Sequence, residues 1–373
     1  MATRTECQIT LHPPVTSLAH AGRNSNQIPE KFRKGLDPEW IELWNSHGSK
    51  VVPASTVTIE EFRMDPQKYS FTYPTWRGPE VHQVQDVVVP VSSPRGEITC
   101  RVYTPEGTGP FPVHVNMHGG GWVLGGLTSE QSWCRQVCNK VGMVVVDVGY
   151  RLAPEFPFPT AIYDCWDAIK WIVDQAKTLN VRPRSISIGG LSAGGHMAAV
   201  LSHFARDEGL PLKLQLLTVP ATDMRYCPLN PDGKVTSDYQ SVVDLADMPW
   251  GPLARESWFL NYFIGEDPVM RTKRLNDWRM TPVLAPNFSN LAPALIITAE
   301  FDVERDEGEY YGRLLEEAGN HVVVRRFQGV PHAFAHYNCP ERGLSKAQEY
   351  VEYTCLMLQQ AHSDSGYRIG SRN

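Results

Sequence analysis

The sequence predicts an α/β fold with a mostly parallel central sheet, helices on both faces and a helical cap. Three observations carry that expectation. Between 112 and 219, short apolar runs alternate with helical segments, which requires crossover connections and a sheet buried on both sides. The same alternation resumes after 291. Between the two, residues 220–290 are rich in proline and aromatics and break the pattern, as an insertion lying over the sheet would.

In chain order, residues 1–27 are polar, carry prolines and show no period, so they read as a flexible arm. A helix start follows, with Asp37 as cap, Pro38 at the first position and Glu39 in the first turn. Trp40, Leu43 and Trp44 then share one face, and 28–80 reads as the N-terminal part of the cap. The first part of the core spans 81–219. It opens with two alternating runs, Gln85–Val91 and Glu97–Tyr103, joined by Ser-Ser-Pro-Arg-Gly as an antiparallel hairpin. Strands are expected at Pro112–Met117, Met143–Val148, Ser185–Ile188 and Leu212–Val219, with helices at Glu130–Val141, Ala161–Ala176 and after Ser192. The inserted part of the cap, 220–290, holds one strongly patterned helix near Leu253–Ile264. The second part of the core, 291–362, supplies strands Ala294–Thr298 and Val322–Phe327 and helices Asp306–Ala318 and Ser345–Gln360. Residues 363–373 form a polar tail.

The totals exclude several classes. A net charge of −6 with no Lys/Arg run argues against nucleic acid and anionic membranes as partners. No run of eighteen apolar residues could span a membrane, and the first ten residues lack the apolar stretch of a signal peptide. A cytoplasmic location is therefore expected. The eight cysteines show no framework spacing, and Cys134 and Cys138 lack a second Cys/His pair, so reduced buried thiols and no metal are expected.

The chemistry centres on Gly190-Leu191-Ser192-Ala193-Gly194, a G-x-S-x-G run between an apolar strand and a helix of small residues. A serine at the apex of so sharp a turn crowds the residues two places either side, which only glycine fills comfortably. The turn exposes the hydroxyl and aims the unpaired N–H groups of the new helix at it.

A serine hydroxyl needs a base, and the base needs a third group to orient it. Asp302 follows the strand Ala294–Thr298, and His332 follows the strand Val322–Phe327, giving the chain order Ser, acid, His. Asp306 competes with Asp302 for the acid position, and either could instead cap the following helix. The loop Met117-His118-Gly119-Gly120-Gly121-Trp122 also follows a strand. Its bare backbone N–H groups suit a developing oxyanion together with that of Ala193. His118 itself reads as a loop brace. Phosphate cradling lacks the continuation that such glycine loops carry.

At these residues the chain resembles the hormone-sensitive-lipase branch of the α/β-hydrolases. The marks are His118-Gly-Gly-Gly-Trp122, Tyr150-Arg-Leu-Ala-Pro-Glu155, Gly190-Leu-Ser-Ala-Gly-Gly195, the run from Pro293 to Asp302, and Gly329-Val-Pro-His332-Ala-Phe334. The resemblance covers about 35–360. It implies Ser192 as nucleophile, His332 as general base and acid, and Asp302 as its orienter. It places the oxyanion donors among Gly119, Gly120, Gly121 and Ala193. Trp122, Leu191, Trp258 and Phe259 are expected to bind substrate. There are two departures: Leu191 stands where the family often has Asp or Glu, and Val303-Glu304 where it usually has Pro-Leu.

The implied activity is hydrolysis of a carboxylic ester or a lactone, with no cofactor. The aromatics of 28–80 and 220–290, such as Trp40, Trp44, Tyr73, Trp76, Trp250, Trp258 and Phe259, are interleaved with charges and prolines, so a finite, partly aromatic pocket for a small or medium acyl group is expected. The partner is a small molecule, and a homodimer is compatible with the sequence. An acyl-transfer or cyclising enzyme of small-molecule metabolism is the alternative on the same scaffold. A non-catalytic receptor, like the plant gibberellin receptors that look like this family, lacks the histidine that His332 supplies.

Overall fold

The computed structural model describes residues 27–71, 76–227 and 237–363. The arm expected at 1–27 and the tail at 363–373 therefore lie almost wholly outside the described residues.

Eight strands form one sheet: β1 Gln83–Ser92, β2 Arg95–Thr104, β3 Phe111–Met117, β4 Val144–Gly149, β5 Val181–Leu191, β6 Leu212–Thr218, β7 Ala294–Phe301 and β8 Val322–Pro331. Their order is β1-β2-β4-β3-β5-β6-β7-β8. β1 and β2 pair antiparallel through the expected hairpin, β2 meets β4 antiparallel, and β3 to β8 run parallel. This is the α/β-hydrolase fold, as the resemblance implied.

The period-2 alternation of the strands splits the core in two. Val144, Val146 and Val148 face one side with the helices Thr160–Asp174 and Ala193–Asp207. Val145, Leu214, Leu216, Leu295 and Ile297 face the other with the helices Gln131–Val137 and Ser345–His362. The central strands β3 to β7 are buried on both faces by these helices, whereas the edge strand β1 stays largely exposed.

Three strands extend three or more residues beyond an expected end. β5 begins at Val181, whose partner is Phe111, although Arg182-Pro-Arg184 reads as loop. It also continues through Gly189 and Gly190, which pair with Asn116 and Met117. β7 and β8 likewise run on to Phe301 and Pro331. Ladder partners hold the outer residues Val181, Gly189, Gly190, Phe301 and Pro331 where local propensity would not, with bulged stretches inside β5 and β8.

Around the strands, the helix Pro38–Ser46 starts at Asp37, whose side chain accepts from the Glu39 N–H at 2.8 Å. Trp40 and Trp44 stack at 5.4 Å and are buried. The segments 28–80 and 220–290, expected to form a cap, touch: Trp258 Nε1 donates to the Val57 carbonyl at 2.8 Å, and the Ile59 N–H donates to Tyr262 Oη at 3.0 Å. Among the described residues no helix is long and apolar enough to cross a membrane, and the seven cysteines are buried and unpaired.

Candidate active site

Ser192, Asp302 and His332 are each the first residue past the carboxyl end of a strand: β5, β7 and β8 respectively. The glycine loop leaves the end of β3, which lies beside β5. Parallel strands thus deliver all four pieces to one edge of the sheet, where such folds build their sites.

The elbow is tight for a measurable reason. Ser192 sits at φ 57°, ψ −118°, a conformation that costs of order 1–3 kcal/mol for a residue with a Cβ and persists only when the surroundings impose it. They do so through β3. A Cβ on Gly190 would lie 2.1 Å from the Met117 carbonyl oxygen, and one on Gly194 only 1.8 Å from it. Glycine at both places is the condition for β3, β5 and the following helix to meet here.

His332 bridges the other two groups. Its Nε2 lies 2.9 Å from Ser192 Oγ, and its Nδ1 lies 2.8 Å from Asp302 Oδ2. The second oxygen of Asp302 accepts the Glu304 N–H at 3.0 Å, so the carboxylate cannot swing. Asp306, the rival acid, is occupied elsewhere, accepting from the Ser241 N–H at 2.7 Å and Arg305 Nε at 2.8 Å. Burial alone would pull His332 down. The Asp302 carboxylate outweighs it through its field and hydrogen bond, and Glu256 adds to it against Arg255, so the imidazole is held above the ordinary histidine value.

The glycine loop resolves into donors and support. The Gly119 N–H donates to the buried Glu130 carboxylate at 3.0 Å, which removes Gly119 from the expected donor set. The amides of Gly120 and Gly121 have no acceptor among the described residues. Ala193 opens its helix, where no preceding turn supplies a carbonyl. His118 acts as the expected brace: its ring stacks on Tyr150 at 4.2 Å, Nδ1 bonds to the Gly119 carbonyl, and Tyr150 Oη donates to the His118 carbonyl.

These groups open on a cavity of about 240 Å³. Leu191 and Phe259 line it, as expected of substrate-binding residues. Trp122 and Trp258 do not, which corrects the expectation for both. Trp122, 1% exposed, stacks on Phe263 at 4.6 Å and donates to His196 Nδ1, wedging the glycine loop against the helix Leu253–Ile264. Trp258, 6% exposed, packs on Phe62 and Tyr262.

Trp76 and Trp250, aromatics of the two segments expected to form the cap, also line it, whereas Phe71, Arg255, Glu256, His336 and Tyr337 are wall members that carry no signal in the sequence. Glu304 is a further surprise. Its carboxyl is buried in hydrogen-bond contact with Glu256, and Oε2 lies 3.8 Å from His332 Nδ1. Burial and the neighbouring Glu256 and Asp302 carboxylates push Glu304 far up. The sequence marks this position only as a departure from the family's usual Pro-Leu.

A family model described as alpha/beta hydrolase fold matches residues 114–336. The chain belongs to the α/β-hydrolase family. Within it, the hydrolase falls in the hormone-sensitive-lipase branch. It is 32% identical over 325 residues to an AB hydrolase superfamily protein of Schizosaccharomyces pombe, covering 82% of this chain and 89% of that one. It is 36% identical over 264 residues to the carboxylic ester hydrolase LipN of Mycobacterium tuberculosis, covering 69% and 66%. Among solved structures, an esterase of Pyrobaculum calidifontis superposes with a TM-score of 0.74 at 31% identity, covering 87% of this hydrolase and 98% of that chain.

Proposed function

We propose that this hydrolase cleaves a carboxylic ester through an acyl-enzyme on Ser192. The observation that carries the reading is the unbroken hydrogen-bonded line Asp302–His332–Ser192 opening on a cavity beside three uncommitted amides. His332 Nε2 takes the proton as Ser192 Oγ attacks the acyl carbonyl, and Asp302 stabilises the imidazolium that forms. The oxyanion is met by the N–H groups of Gly120, Gly121 and Ala193, each such donor contributing about 2.7–4 kcal/mol to the transition state. His332 then protonates the departing alcohol. Water, deprotonated by the same nitrogen, releases the acid and restores Ser192. The relatives named as esterases support this reaction class.

The base must be neutral to accept the proton, so activity falls as pH drops through the His332 pKa. Because Asp302 lifts that pKa, kcat/KM is expected to rise through an apparent midpoint above about 6.5, the ordinary histidine value. A pH–rate profile from 5 to 9 checks this, and a flat profile or a midpoint below the ordinary value would remove His332 as the base.

We read 28–80 and 220–290 as one cap over the site, closing a finite aromatic pocket that limits acyl length. Phe71 and Trp76 come from the first segment, and Trp250 and Phe259 from the second. Tyr73, which the composition of the first segment also counts, lies outside the described residues. Neither segment offers the sustained apolar face of an interfacial helix. The expected result with nitrophenyl esters from C2 to C16 is a short or medium optimum without activation by emulsified lipid. An optimum at C12 or longer, or a jump at the emulsion surface, would make the enzyme a lipase.

A further inference from the structure

Arg255 is a cation in an unfavourable place. It is the third residue of the helix Leu253–Ile264, where the helix dipole disfavours positive charge. It lines the cavity that Ser192 and His332 share, half-buried, with its guanidinium 4.1 Å above the Trp250 ring and 5.4 Å from that of Phe259. Among the described residues it makes no hydrogen bond and no ion pair, and its Nε is buried without an acceptor. Burial holds the guanidinium below its ordinary value even though Glu256 and Tyr337 pull the other way.

The acids nearby are otherwise engaged. Asp302 is held by His332 and the Glu304 N–H, and Glu256 shares its contact with Glu304. None of the three approaches Arg255 within ion-pair distance. A second donor in the same wall, Trp250 Nε1, is also buried without an acceptor. Arginine and the indole N–H are donors only, so what completes this wall must bring acceptors. A planar guanidinium set over the Trp250 ring carries the donor fork that matches a carboxylate.

We propose that the ester taken by this site carries a carboxylate, received by Arg255 against the Trp250 face. The proposal rests on the ester-hydrolase reading above and narrows it: the substrate class is an acidic ester, such as a half-ester of a dicarboxylic acid or an ester of a carboxylated alcohol. The aromatic wall holds its carbon skeleton, while Arg255 sets its register relative to Ser192.

The test compares charged esters with their methyl-blocked neutral forms, reading the phenol released. Phenyl hydrogen adipate against methyl phenyl adipate places the carboxylate on the acyl part. 3-Acetoxybenzoate against its methyl ester places it on the alcohol part. A charge-assisted pair of this kind corresponds to about tenfold or more, so one arm is expected to show at least that ratio of charged to neutral kcat/KM, expressed mainly in KM. In Arg255→Gln the ratio is expected to collapse towards unity, and in Arg255→Lys to be intermediate, because the charge remains but the fork is lost.

A ratio at or below one in both arms of the wild type, or one that neither substitution moves, overturns the proposal while leaving ester hydrolysis intact. Calorimetric binding of the same esters to Ser192→Ala supplies a readout that needs neither turnover nor a folded Arg255 variant. Tighter binding of a charged ester than of its neutral form supports the proposal, and equal binding overturns it. If no ester is hydrolysed yet the charged form binds preferentially, the esterase reading falls and the anion site stands.

Discussion

Ser192→Ala is expected to lower kcat by about 10⁴–10⁶, the range reported when a triad nucleophile is removed, without unfolding the protein. The hydroxyl contributes the reacting atom and little else, since Ser192 makes only the His332 contact through its side chain. Its backbone is fixed independently: the Ser192 N–H donates to the Thr218 carbonyl at 2.8 Å, and its carbonyl accepts from the His196 N–H at 2.9 Å. Alanine keeps the same Cβ and so the same strained φ, which leaves the elbow as it was. Thermal unfolding and ester turnover should be measured together, with fluorophosphonate labelling as the direct readout of the nucleophile. Residual activity above about one hundredth of wild type, far outside the range for triad losses, would mean that another group attacks.

The second large effect is Asp302→Asn, expected to cost about 10⁴ in kcat, as loss of the orienting carboxylate does in other triads. An amide in this place can donate to Nδ1 and so stabilise the imidazole tautomer that carries its proton on Nε2, where it cannot accept from Ser192. Glu304 does not stand in for the missing charge. Its nearest oxygen is 3.8 Å from Nδ1, and burial beside Glu256 and Asp302 disfavours its charged form. Asp306→Asn is expected to change kcat by less than about threefold, because Asp306 serves Ser241 and Arg305, and surface or second-layer changes of this kind fall within a few tenths of a kcal/mol. Parallel kinetics on the two variants decide the matter. Comparable losses would make Asp306 the orienting acid.

The sheet was legible in the sequence because each buried strand is an apolar run and each crossover a helical period. Where polar residues enter a strand, as at Arg182-Pro-Arg184, the pattern fails: the ladder pairs Val181 with Phe111 and resumes only at Ile186, leaving the polar stretch as a bulge. The serine, acid and histidine announce themselves through local turns at strand ends, and the glycine loop through its composition. The choice of donors did not: whether Gly119 faces the site depends on Glu130, eleven residues on, whose carboxylate reaches back under the loop. The wall of the cavity was less legible still. Trp122 and Trp258 share the composition of true wall residues such as Trp250, yet they are turned inward by partners at His196 and Val57, which no window of sequence contains. Glu304 and Glu256 lie 48 positions apart and meet only in the folded protein.

One contact joins two properties that are usually discussed apart. A Cβ on Gly121 would fall 2.2 Å from the Phe259 ring, and Trp122 lies flat on Phe263, so the helix Leu253–Ile264 rests directly on the loop offering the oxyanion amides. That helix is therefore packed as a strut against the glycine loop. The same strut sets the width of the pocket through Phe259. Remodelling it to admit a bulkier ester is expected to shift the amides proposed for the oxyanion, and grafting it from a relative to carry over chain-length preference and turnover as a single inherited trait.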